Sequence, residues 1–140
     1  MPYELTDKDT SADVGLIVTG QNLIELFTDA ALGMTSIMVD IDGLKGERER
    51  PIDITGETLE DLLYRWLSEI IYIKDAERFL LRSCRIELDE GKSVLKGKLF
   101  GDTIDPARQV LKIDVKAVTF YKFKIEKVGD LWRGEVVFDL

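Results

Sequence analysis

Asp13 and Asp139 are the two side chains whose placement along the chain suggests joint chemistry. Asp13 heads a short alternating stretch, Val14 to Thr19, with Val14, Leu16 and Val18 on one face and Asp13, Gly15 and Ile17 on the other. Asp139 is the penultimate residue of "GEVVFDL", which reads as β-strand to its last residue. If that closing strand lies antiparallel beside the first, its tail meets the other's head. Asp13, Asp139 and the carboxylate that follows at Leu140 then converge at one sheet end. Carboxylates gathered in this way repel, and either protonation or a bound cation must offset the repulsion. Oxygen ligands without histidine or thiolate select a hard ion, Ca²⁺, Mg²⁺ or Mn²⁺, rather than zinc. Asp40 and Asp42, alternating in "MVDID", could contribute from a neighbouring strand. Acids at strand ends are more often simply solvated, so the residues alone leave both readings open.

Other chemistry is excluded more firmly. The chain has no histidine, which removes Ser-His and Cys-His catalysis and the commonest zinc ligand. It has no glycine-rich phosphate cradle, cysteine pair or EF-hand loop. The lone Cys84 can form no internal disulfide and sits in the apolar "SCRIEL", where it reads as a core thiol. A retaining hydrolase could use Asp13 and Asp139 as acid and nucleophile, but it would need a deep cleft that nothing in the sequence announces. A hydrolase built on these carboxylates is thus the less favoured reading of them. With 27 acids against 19 bases the net charge is −8, which phosphate backbones repel, so no strong direct nucleic-acid binding is expected. Lys112, Lys116, Lys122 and Lys124, with acids among them, read as the solvated face of a strand. No apolar run reaches the ~18 residues of a membrane span. The acidic, polar start "MPYELTDKDTSADVG" reads as neither signal nor transit peptide, so a cytoplasmic protein is expected.

The elements that must position Asp13 and Asp139 are legible from periodicity. Asn22 to Met38 reads as a helix, with Leu23, Phe27, Ala30, Met34 and Ile37 at helical spacing and Asn22 with Glu25 as a capping box. Gly33 inside it predicts close packing on a sheet. "SIMVDIDGLKGERERP" reads as a weak strand and a charged loop, and Pro51 to Ile54 as a short edge strand. Thr58 to Ile73 carries a wide apolar stripe that includes Leu62, Leu63, Trp66 and Ile70. From Phe79 the period becomes two. Leu80, Cys84, Ile86 and Leu88 share a face, "DEGK" turns, and Leu95, Gly97 and Leu99 return. A long strand from Ile113 to Lys127 puts Val115, Ala117, Thr119, Tyr121, Phe123 and Ile125 on one face. "VGDL" makes a hairpin turn into the last strand, Trp132 to Leu140. At 140 residues these pieces make one domain, residues 1–140. The fold class is α+β, a two-layer arrangement with two helices packed on one face of a largely antiparallel sheet.

"DTSADVGL" (9–16), "LEDLLYRWLSEIIYI" (59–73), "VKAVTFYKFKIEK" (115–127) and "WRGEVVFDL" (132–140) together resemble the archease family, in order and over nearly the whole chain. The resemblance implies a small cytosolic protein that activates the RNA ligase joining tRNA halves, promoting its guanylylation and turnover and broadening its nucleotide use. It also implies a link to tRNA methyltransferase specificity or to chaperone-like binding. The family's metal-binding acids fall on Asp13 and Asp139, and Leu140 would contribute main-chain or terminal oxygens. Two positions depart from the family pattern: Thr10 and Tyr121 stand where histidine is usual. Thr10 could donate a hydrogen bond to a carboxylate, whereas Tyr121 reads as a core-rim residue.

Overall fold

The computed structural model describes residues 3–6 and 13–140. Along the chain lie β1 (Tyr3–Thr6), β2 (Asp13–Gly20), α1 (Leu23–Met38), a 3₁₀ turn (Ile41–Gly43), β3 (Arg48–Thr55), α2 (Leu59–Glu77), β4 (Phe79–Asp89), β5 (Val94–Thr103), β6 (Ala117–Val128) and β7 (Leu131–Asp139). Both helices start on the residues whose side chains can satisfy the free N–H groups of a first turn. Asn22 accepts from the Glu25 N–H at 2.9 Å, and Thr58 accepts from the Asp61 N–H at 3.0 Å. Each acid reaches back in turn, Glu25 to the Gln21 N–H and Asp61 to the Glu57 N–H. Such caps contribute about 1 kcal/mol each. α2 ends at Arg78, which takes the left-handed conformation with φ 51°.

The α+β class holds, with every strand pair among the described residues antiparallel and the helices packed on one face. The strands divide between two sheets, ordered β1-β2-β7-β6 and β3-β5-β4. α1 lies against both, touching β2 and β7 of the first and β4 of the second, while α2 packs on β6, β3 and β4. One apolar cluster fills the space between, with Leu16, Phe27, Met34, Trp66, Leu99 and Phe138 fully buried. Trp66 Nε1 donates to the Phe27 carbonyl at 2.9 Å, joining the two helices across that core. Gly33 lets α1 approach β2: a Cβ there would come within 2.9 Å of Leu16 Cδ1. Cys84 is half-buried against the same cluster, and burial pushes its thiol pKa up.

Three local expectations change. Ser36 to Met38 continue α1, and Val39 makes only an isolated bridge to Leu111, so no strand forms around "MVDID". The β4–β5 register shifts between Leu81 and Ser83. That shift turns Leu80 into a small second cluster with Val39 and Leu44, away from Ile86 and Cys84. The third change is in β6, where the β7 register jumps between Thr119 and Lys124. Thr119 pairs with Val137 and Lys124 with Glu135, so residues 120–123 bulge out opposite Val136. The bulge changes the phase of the strand: Val118 is buried rather than Ala117, and Phe123 and Ile125 pack on the core only after it.

Candidate metal centre

The closing strand lies antiparallel beside β2, with Asp13 directly opposite Asp139. Leu16 and Val18 pack inward beside Val136 and Phe138, which fixes the phase of both strands. A one-residue slip would put every one of these side chains on the wrong face. Asp13 and Asp139 therefore share the face turned away from the helices, where directly opposed Cβ atoms stand about 4.5–5.5 Å apart. Ala117 of β6 completes the row on the far side of Asp139. Asp13 is half-buried and Asp139 exposed.

The end of β7 is held from several directions. The Asp139 carbonyl accepts from the Lys116 N–H at 2.8 Å. The Leu140 side chain packs against the main core, which restricts where its main-chain oxygens lie. The segment leading into β6 is fixed by Lys74 of α2, whose side chain is only 5 % exposed. Its Nζ donates to Asp114 Oδ1 at 2.6 Å and to the Val115 carbonyl at 2.8 Å, and pairs with Asp75 at 3.0 Å.

Among the described residues, no three side chains of Asp, Glu, Cys or His gather in one place. Asp40 and Asp42 consequently do not join Asp13 and Asp139. They sit at the 3₁₀ turn, where Asp40 caps the Asp42 N–H at 3.2 Å. Thr10 lies outside the described residues. The oxygen donors that the register brings together are the two facing carboxylates of Asp13 and Asp139. That set suits a hard cation which keeps part of its water shell, and it offers nothing to a soft one.

Tyr121 is not a core-rim residue. It stands in the β6 bulge, 56 % exposed, because four residues there oppose one on β7 and the extra length leaves the sheet. The same bulge builds a feature that periodicity missed. Phe120 stacks on Tyr64 of α2 with centroids 4.3 Å apart, and Phe123 meets both rings edge-on. The signal was present in "TFYKF", where three aromatics in four residues exceed what one strand face can bury.

A profile described as the Archease protein family matches residues 3–140. The protein archease of Archaeoglobus fulgidus is 38 % identical over 133 residues, covering 94 % of this chain and 96 % of that protein. The protein archease of Pyrococcus furiosus is 33 % identical, covering 93 % and 94 %. The solution structure of Methanobacterium thermoautotrophicum protein 1598 superposes with a TM-score of 0.84 at 31 % identity, over 99 % of both chains. A Thermotoga maritima crystal structure, described as an archease and possible chaperone, has the same fold at 19 % identity, with a TM-score of 0.66 over 96 % of both chains.

Proposed function

This chain belongs to the archease family, and we propose that it is a non-enzymatic cytoplasmic activator of the RNA ligase that joins tRNA halves. In this reading it promotes guanylylation and turnover of the ligase and broadens its nucleotide use. It does so through a divalent cation, Ca²⁺, Mg²⁺ or Mn²⁺, held by Asp13, Asp139 and main-chain oxygens of Leu140. The observation that supports the reading is the register placing Asp13 opposite Asp139 at one end of the sheet. Two carboxylates in that relation bring hard oxygen donors within reach of one cation. When bound, the cation supplies positive charge and open coordination positions to a partner's phosphate or carboxylate oxygens. The protein's own residues present that charge at an exposed sheet end, on a scaffold fixed by Lys74, Lys116 and the core packing of Leu140. The acidic surface suits a ligase that is basic because it binds RNA, with complementary fields speeding encounter.

The test is a pull-down with the cognate ligase in the absence of RNA, followed by guanylylation assays. The wild type should bind and accelerate, and Asp139→Ala should fold normally but fail to activate. Normal activation by Asp139→Ala would remove the cation from the mechanism. Absence of both complex and acceleration with the wild type would remove the ligase.

A second reading is chaperone-like or tRNA methyltransferase-modulating binding. It is favoured by the exposed apolar side chains Phe120, Tyr121 and Tyr72 and by the description of the Thermotoga maritima structure. It predicts activity unchanged by chelators and by substitution of Asp13 or Asp139.

A further inference from the structure

A groove of about 490 Å³ runs between α2 and the edge strand β3, lined by Asp53, Tyr64, Arg65, Ser68, Glu69 and Tyr72 among others. Tyr64, Ser68 and Tyr72 recur every four residues and so share one stripe of α2. Eight residues of helix rise set the Cα atoms of Tyr64 and Tyr72 about 12 Å apart along the axis with the small Ser68 between them, which leaves a notch flanked by two aromatic side chains. One wall is rigid, because Tyr64 is stacked on Phe120 and braced by Phe123. The other, Tyr72, is 61 % exposed. The charge of the notch is negative. Arg65 is engaged by Asp61 of its own helix at 2.9 Å and Asp53 stands opposite Lys96 on β5, so the carboxylate of Glu69 sets the sign at the groove.

We propose that this notch docks an arginine side chain on a basic segment of a protein partner. A guanidinium is planar, stacks on aromatic faces, carries donors suited to carboxylates and is weakly hydrated, so it meets both features of the groove. The net charge of −8 draws a basic partner to the surface on which the groove opens. An RNA base would stack on the same rings, but its phosphates would meet Glu69 and the same net charge. The groove lies on α2 and β3, apart from Asp13 and Asp139 on β2 and β7, so this docking does not depend on the cation reading.

The inference is tested on the full ¹⁵N-labelled chain with a capped glycine–arginine repeat peptide, the same peptide bearing citrulline, and a short oligouridine. The arginine peptide should shift the amides of Tyr64, Ser68 and Tyr72 saturably, and citrulline should lose most of the effect. Ser68→Trp fills the notch and should abolish the shifts. Tyr72→Ser, at an exposed position, should weaken them and gives a check should the larger side chain perturb folding. Both variants should also weaken association with the RNA ligase, by about tenfold if the notch is a hot spot. Shifts elsewhere, shifts unchanged in both variants, or oligouridine moving these amides where the peptide does not would each overturn the proposal. Failure of the wild type to bind the ligase would count against the proposed function, while the peptide titration would still decide the groove.

Discussion

Asp13 and Asp139 face one another across the β2–β7 ladder, each the other's direct partner. Like charges so placed destabilise a sheet by roughly 0.2–1 kcal/mol. Metal-free Asp139→Asn should accordingly be as stable as the wild type, or more stable by up to about 1 kcal/mol. With Ca²⁺, Mg²⁺ or Mn²⁺ at about a hundredfold excess over Kd the order should reverse, because binding adds roughly 2.7 kcal/mol to the wild type alone. That gain is several degrees in Tm. Thermal melts with each ion and with EDTA check both halves, and an equal rise in the variant would contradict the cation site.

Lys74 and Asp114 make an asymmetric pair, since the lysine side chain is 5 % exposed and the aspartate 63 %. Removing the lysine leaves the buried Val115 carbonyl without its donor and empties the space of the aliphatic stem. Lys74→Ala should therefore cost about 2–4 kcal/mol. Asp114→Asn should cost under about 1 kcal/mol, because water can serve the exposed end of the pair. Urea unfolding of the two variants separates them, and equal losses would show that the ion pair matters more than the buried contacts.

How much of this was legible in the sequence depended on whether a contact follows from local periodicity. The facing of Asp13 and Asp139 was legible, because the strands carrying them alternate cleanly and only one phase buries Leu16 and Phe138. Both helix starts were legible for a similar reason, since Asn22 and Thr58 act on N–H groups three residues away. The division into two sheets was not, because each β-run reads the same whichever neighbour it joins. The β6 bulge was hidden because extra residues opposite Val136 are a property of the pair of strands and not of either one. "MVDID" alternates like a strand, but hydrogen bonds from Asp40, Lys112 and Ile113 to distant carbonyls decided its path instead.

Gly97 tests the close approach of β4 and β5. A Cβ there would lie 2.2 Å from the Arg85 carbonyl oxygen and 2.8 Å from Ile86 Cα. These are backbone atoms of a paired strand, so no side-chain rotation relieves the clash. Gly97→Ala should destabilise by about 3 kcal/mol or more, at the upper end of overpacking. A chemical-denaturation midpoint within error of the wild type would mean that the two strands can separate locally at little cost.

Acid stability should depend on Asp102. This carboxylate is 8 % exposed and receives Arg108 at 3.0 Å and the Lys45 N–H at 2.9 Å. The Arg108 hydrogen bond, opposed by burial and aided by the Lys45 N–H, lowers its pKa from 3.8 to about 2. A group depressed in the folded state adds stability above its unfolded value and loses it as pH falls through the folded one. The wild type should thus lose stability from about pH 4 down to pH 2 as Asp102 takes up its proton. Asp61 is lowered in the same direction, by the Glu57 N–H first and then by Arg65, so some acid sensitivity will remain without Asp102. Asp102→Asn should cost about 1–2 kcal/mol at neutral pH, through loss of the charge-assisted bonds to Arg108. The deficit should shrink as both proteins are taken to pH 2, where the wild-type carboxylate has lost its charge as well. Urea midpoints of the two proteins measured from pH 6 to pH 2 read the convergence directly, and parallel curves would show that Asp102 is not what acid titrates.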